Sequence, residues 1–255
     1  MKPLKSRLAD GQVTVGSWLT LAHPGIAEIM SKAGFDWLTI DLEHSVITIR
    51  EAEELIRIIV LSGVVPLVRL SANDPVQIKR VMDAGAHGVI VPMVNSSAAA
   101  ESAVEAVRYP PMGKRGVGLA RAQGYGSSFD RYREWINRES VVIVQVEHIE
   151  AVDNLEAILA IEGVDGFIVG PYDLSGSLGV PGQFDHPSMK EAMERIKTVG
   201  LSSGKVFGIH VIEPNVEELR QRLDAGYSFV AYSLDIRMLD HACRSGLDAI
   251  RSKSR

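Results

Sequence analysis

Two carboxylates in this sequence stand where they could hold a cation. Glu147 closes the apolar run VVIVQVE, and Asp173 follows the run GFIVGPYD. Neighbouring carboxylates repel and raise each other's pKa unless a cation lies between them. Hard oxygen ligands with open positions suit Mg²⁺ or Mn²⁺. A 2-oxo acid can fill two such positions, and the ion then acts on its keto oxygen as a Lewis acid. His148 and His210 are further candidate ligands, though neither spacing is diagnostic. Arg69, at the end of VPLVR, suits the negative oxygen of an enolate, or else a buried ion pair with a nearby acid. In DLEH, His44 follows Asp41 closely. A histidine oriented and made more basic by a carboxylate is the expected form of a general base.

The elements that position these groups alternate along the chain. Eight apolar runs read as strands: Val13–Leu21, Trp37–Asp41, Val64–Leu70, Gly88–Pro92, Val141–Glu147, Gly166–Gly170, Val206–Val211 and Phe229–Ser233. Most are continuous and rich in Val and Ile, as expected of parallel strands buried on both faces. Amphipathic stretches separate them. Ile49, Ala52, Leu55, Ile56, Ile59 and Val60 share one helical face, and Asp74-Pro75 reads as an N-cap with proline in the first turn.

KAGFDWLTID, DAGAHGVIVP, IEGVDGFIVG and DAGYSFVAYS repeat one plan, each with a glycine (Gly34, Gly85, Gly163, Gly226) before an even-numbered strand. These glycines predict left-handed helix ends. Four βαβα units in 255 residues fit one (β/α)₈ TIM barrel, usually about 250 residues, spanning 1–255 as a single domain. An open doubly wound sheet usually carries G-x-G-x-x-G after its first strand, and here LTLAHPG stands there. In such barrels chemistry takes place at the C-terminal strand ends. Those ends read Asp41 with Glu43 and His44, Arg69, Pro92, Gln145 with Glu147, Gly170 leading to Asp173, His210 and Ser233.

Composition narrows the class. A net charge of −5 argues against nucleic acid as the main partner, and no apolar run approaches a membrane span. MKPLKSRLADGQ lacks the apolar stretch of a signal peptide, and a lone Cys243 fits a reducing compartment, so a cytoplasmic protein is expected. No lysine falls in the interior or at the catalytic end of a strand, which disfavours a Schiff-base aldolase and favours the metal route. The loops HVIEPN and YSLDIR lack a glycine-rich phosphate turn. The Gly-rich insertion 110–135, read as following strand four, is expected to be a lid or binding loop. With His23, its Arg121 and Tyr125 would face the tail of the substrate.

AGFDWLTIDLEHS, VPLVRLSANDPVQIKRVMDAGAHGVIVPMV, RYPPMGKRGVGLARAQGYG, VIVQVEHIEAVDNLEAI and IEGVDGFIVGPYDLSGSLG together resemble the HpcH/HpaI aldolases. These are class II, metal-dependent pyruvate aldolases, and the likeness runs over roughly residues 12–240 in family order. The resemblance implies that Glu147 and Asp173 ligate a divalent metal (Mg²⁺, Mn²⁺ or Co²⁺) and that His44 accepts the proton. It implies that Arg69 stabilises the enolate, and that Gln145, Tyr172 and Asp173 contact the pyruvate portion. Asp83 matches an aspartate that raises the basicity of the histidine across a subunit boundary. Tyr172 stands where some members carry a small residue, and its bulk is expected to narrow the pocket. The resemblance also implies a homo-oligomer, a hexamer built as a dimer of trimers with C-terminal helices exchanged. The apolar face of the last segment (Ile236, Leu239, Ala242, Cys243, Leu247, Ile250) suits such an exchange or could cover its own barrel.

The expected reaction is reversible cleavage of a 4-hydroxy-2-oxo acid to pyruvate and an aldehyde through the pyruvate enolate at the metal. The rivals are a malyl-CoA or citramalyl-CoA type lyase, for which no basic tract is evident, and a non-catalytic barrel.

Overall fold

The structure, a computed structural model, describes residues 2–251. Eight parallel strands close into a barrel in chain order. They are β1 (Thr14–Leu19), β2 (Trp37–Asp41), β3 (Val65–Arg69), β4 (Gly88–Val91), β5 (Val141–Val146), β6 (Gly166–Val169), β7 (Val206–Val211) and β8 (Phe229–Leu234). Around and below them lie α1 (Leu4–Ala9), α2 (Pro24–Lys32), α3 (Ile49–Leu61), α4 (Pro75–Ala84), α5 (Ser97–Val107) and α6 (Phe129–Glu139). The remaining helices are α7 (Ile149–Asp153), α8 (Leu155–Leu159), α9 (Pro171–Ser177), α10 (Pro187–Ser202), α11 (Val216–Asp224) and α12 (Asp235–Arg251). No helix among the described residues is long and apolar enough to cross a membrane.

The expected signals act locally as their chemistry requires. Gly34, Gly85, Gly163 and Gly226 take φ of 99°, 103°, 97° and 96°, ending a helix ahead of each even-numbered strand. Asp74 accepts the backbone N–H groups of Val76 and Gln77 at the head of α4. Strand β1 is shorter than its apolar run because the Thr20 and Leu21 N–H groups leave the ladder for the Asp235 carboxylate, each at 2.8 Å. That carboxylate, at the start of α12, ties the end of β1 to the end of β8.

Strand pairing sets the layers inside the barrel. Side chains alternate in and out along each strand. Following the paired register round the barrel puts Trp18, Arg69, Gln145 and His210, from the odd strands, in one layer. Asp41, Pro92, Gly170 and Ser233 continue the even strands just above it. Lower down the interior is apolar, built from Trp37, Leu67, Ile90, Ile143, Ile168, Val206 and Phe229.

The first helix corks the opposite end. Leu4 and Leu8 of α1 are buried against the lower interior. Lys5 reaches Asp165 at 2.8 Å, and Arg7 reaches Asp36 at 2.8 Å, fixing the helix to loops that enter β6 and β2.

The insertion differs from its expected placement. Helix α5 intervenes after β4, so residues 108–128 begin at the N-terminal face of the barrel rather than over the catalytic rim. Arg121 there donates to the Ala84 carbonyl at 2.9 Å, at the foot of α4. The run of glycines masked the change of face, because the alanine-rich α5 carries few of the large residues that mark a helix stripe.

Leu8→Ala should lower the unfolding free energy by about 2–4 kcal/mol through the cavity it leaves. A shift of the urea midpoint with activity per folded molecule unchanged is the expected result, since the cork lies at the face opposite the rim.

Candidate active site

The catalytic rim gathers four carboxylates around one guanidinium. Asp41 and Arg69 are register partners on β2 and β3, so their side chains meet directly. Arg69 Nε and Nη2 donate to the two Asp41 oxygens at 2.8 and 2.6 Å. Burial works against the Asp41 charge, but these bonds outweigh it and hold its carboxyl below the usual range. The remaining nitrogen, Nη1, lies 3.4 Å from Glu43 Oε2. The guanidinium carbon sits 4.4 Å over the Trp18 ring. The ion-pair reading of Arg69 is thus met, with Nη1 directed toward Glu43.

The partner expected of His44 is different. Asp41 accepts the backbone N–H groups of Glu43 and His44, which shapes the turn, and its oxygens are otherwise taken by Arg69. The carboxylate beside the imidazole is Glu43, whose Oε2 lies 3.8 Å from His44 Nε2. The His44 side chain is 61% exposed, open to a ligand at the mouth.

Glu43 is a site residue that the strand-end reading named without a role. Its Oε2 is buried and has no hydrogen-bond partner. Burial above all, opposed by the pull of Arg69 and aided by repulsion from Glu147, Asp41 and Asp173, pushes its carboxyl up to about 7. Trp18 was missed because β1 was read two residues too long, so its end fell at Leu21.

Glu147 is 3% exposed. Its Oε1 accepts the Met93 N–H at 2.7 Å, and its Oε2 accepts the Gln145 amide. Met93 reaches this position in a left-handed conformation, φ 52°. Gly170 is required beside it, since a Cβ there would fall 3.0 Å from Glu147 Cβ and 3.1 Å from its Oε2. Burial, helped by the Asp173 charge, raises the Glu147 carboxyl above its ordinary value despite those two hydrogen bonds. Asp173 sits in the first turn of α9, exposed.

Four buried polar atoms without hydrogen-bond partners collect in this region: Trp18 Nε1, Thr39 Oγ1, Glu43 Oε2 and Gln145 Oε1. Buried polar groups are almost always satisfied, so such a cluster marks a place for ligand, ion or water. The donor set fits a hard cation, since a buried carboxylate that binds a proton tightly amid like charges gains equally from a metal. Among the described residues no three His, Cys, Asp or Glu side chains form a ready-made ligand group. A cation would therefore rest on Glu147 and Asp173, with water and substrate completing its shell.

Other expected residues fall elsewhere. His148 is used as the N-cap of α7, its Nδ1 accepting from Glu150 N. His210 faces inward, but its Nε2 is bonded to the Ser233 carbonyl at 3.1 Å. The Tyr172 ring packs edge-on against Phe184, centroids 4.9 Å apart, lining a cavity of about 620 Å³ with Met189 and Met193 of α10. Its bulk is thus taken up along α10. Asp83 lies at the foot of α4, paired with the buried Arg115 at 2.5 Å, at the face opposite His44 of the same chain. Among the described residues no lysine occurs in the upper two layers of the barrel.

Folded Glu43 keeps its proton to about pH 7, whereas the unfolded chain releases it near 4.5. The folded state therefore binds more protons between those values, and stability falls as pH rises through them. Glu43→Gln should flatten that fall in cation-free buffer, read from unfolding midpoints; an unchanged slope would refute the assignment.

Comparison with known proteins identifies the family. The family model for HpcH/HpaI aldolase/citrate lyase matches residues 14–242. The hydroxypyruvate/pyruvate aldolase of Roseobacter denitrificans is 40% identical over 242 residues, covering 94% of this chain and 93% of that protein. The 5-keto-4-deoxy-D-glucarate aldolase of Escherichia coli is 37% identical, covering 97% and 96%. A solved HpcH/HpaI aldolase/citrate lyase family protein from Burkholderia cenocepacia superposes with TM-score 0.92 at 37% identity, covering 97% and 98%. An enzyme by these likenesses, the chain belongs to the HpcH/HpaI aldolase/citrate lyase family.

Proposed function

We propose that the enzyme is a divalent-metal-dependent aldolase that reversibly cleaves a 4-hydroxy-2-oxo acid to pyruvate and an aldehyde. The observation that carries this reading is the placing of Glu147 and Asp173 on the same rim as an arginine whose Nη1 is left by Asp41 and lies 3.4 Å from Glu43 Oε2. The names of the full-length relatives, pyruvate and keto-deoxy-sugar-acid aldolases, support the substrate class.

A divalent ion held by Glu147 and Asp173 would supply Lewis acidity toward the carboxylate and keto oxygens of the substrate. Asp41 pins two nitrogens of Arg69, leaving Nη1 as a fixed donor for the oxygen that becomes negative as the C3–C4 bond breaks. His44, exposed at the mouth beside Glu43, takes the C4 hydroxyl proton. Gln145 and the Tyr172–Asp173 turn contact the pyruvate portion. Proton return to C3 releases pyruvate. The apolar floor beneath the upper layers excludes water from below.

The same reading includes a cytoplasmic homo-oligomer, a hexamer arranged as a dimer of trimers. Leu239, Leu247 and Ile250 of α12 are exposed by 53%, 51% and 67%, an apolar face that supports pairing with another chain. Asp83 would then act on His44 of a neighbour.

Exhaustive chelation should abolish pyruvate formation in a lactate dehydrogenase-coupled assay over a panel of 4-hydroxy-2-oxo acids, with recovery on adding Mg²⁺, Mn²⁺ or Co²⁺. Cleavage retained by the chelated enzyme or by Glu147→Ala would sink the metal route. Arg69→Ala should lower kcat by about 10²–10³-fold, the usual effect of losing one donor to a developing oxyanion.

A further inference from the structure

His210 has no part in the reaction as proposed, yet it occupies one of the four places in the layer that holds Arg69 and Gln145. Its surroundings form a connected column. Ser233 on β8 takes a left-handed conformation, φ 51°, where the β1–β8 register shifts between Gly16 and Trp18. Its carbonyl accepts two bonds, from Ser17 Oγ and from His210 Nε2, each at 3.1 Å. The Ser233 hydroxyl donates to the Ile212 carbonyl at 3.0 Å, holding that turn to the end of β7. The imidazole lies against the Trp18 ring, centroids 5.5 Å apart and tilted by 53°. The Trp18 ring in turn carries the Arg69 guanidinium at 4.4 Å.

We propose that His210 is a positioning residue, which fixes the Trp18 ring as the shelf on which the Arg69 guanidinium lies. Asp41 fixes two nitrogens of Arg69 but leaves the guanidinium free to hinge about the line through Nε and Nη2, which would swing Nη1. The Trp18 face, 4.4 Å from the guanidinium carbon, opposes that hinge by cation–π attraction, so Nη1 points at one place on the rim. Trp18 can do this only if its own ring is held. Its Nε1 has no hydrogen-bond partner, so the ring's orientation rests on packing, and the imidazole is its aromatic neighbour in the layer.

Histidine suits the task better than an aliphatic residue. The Nε2–H to carbonyl bond sets the ring's rotation, and burial, with the nearby Arg69 charge, keeps the ring neutral by lowering its pKa to about 4. A second positive charge there would push the guanidinium off its shelf.

This rests on the reading of Arg69 as the enolate partner, and the test separates the two. The metal-loaded enzyme is titrated with oxalate, a planar mimic of the pyruvate enolate, and with pyruvate, alongside kcat and KM for cleavage. His210→Leu should weaken oxalate by about tenfold, the size of one cation–π contact, while pyruvate affinity and KM stay nearly unchanged and kcat falls. His210→Gln keeps an N–H for the Ser233 carbonyl and should restore most of the loss. Should His210→Leu fail to fold, Trp18→Leu against Trp18→Phe makes the same comparison, with only the leucine variant losing oxalate preference. An unchanged oxalate-to-pyruvate ratio in these variants, with the ratio collapsing in Arg69→Lys, would overturn the positioning role and leave the enolate reading standing. A ratio unmoved by Arg69→Lys would overturn both.

Discussion

The rim of this barrel is organised around an imbalance of charge. Asp41, Glu43, Glu147 and Asp173 converge there, and among the described residues Arg69 is the one arginine that faces them. Arg69 cannot neutralise all four, and its geometry shows where it is committed: two nitrogens to Asp41, one toward Glu43. The uncompensated charge has two ways out. Protons can be retained, as the raised carboxyls of Glu43 and Glu147 show, or a cation can be bound. The two compete for the same oxygens. Metal affinity at this rim should therefore be inseparable from its protonation state.

Much of this arrangement was legible in the sequence because barrels impose it. Buried parallel strands demand continuous apolar runs, and left-handed helix ends demand glycine, so the strand count and the repeat could be read directly. Asp41, Arg69, Pro92, Gln145, Gly170, His210 and Ser233 were all legible as strand ends, and they fill the upper layers of the barrel. What escaped were relations between strands. Whether Asp41 would serve His44 or Arg69 depends on the β2–β3 register, which no local pattern encodes. Trp18 was hidden by Thr20 and Leu21, whose N–H groups are taken by a carboxylate more than 200 residues away. The face on which residues 108–128 emerge turned on recognising α5, whose alanine-rich sequence gives a weak stripe.

Two of the three described non-glycine residues with positive φ sit where the upper layers meet the loops, the third being Tyr125 in the insertion. Met93 and Ser233 both hold positive φ without being glycine. Each does so to aim a backbone polar group inward, the Met93 N–H at Glu147 and the Ser233 carbonyl at His210. Such conformations persist only where surrounding contacts over-determine them. Here the closed sheet supplies that rigidity, and the cost of the turns is met by strands buried on both faces. The site is thus shaped as much by main chain as by side chains.

Helix α1 has a consequence for how the chain is made. Its two leucines and its two basic residues are synthesised before any strand, but their partners come much later. Asp165 is translated only after five strands, and the lower interior that receives Leu4 and Leu8 includes Phe229 of the last one. A helix made before every strand therefore finds its full seat only once the last strand exists. Until the barrel is complete its apolar side has no home among the strands, so α1 needs shielding while the strands are being made.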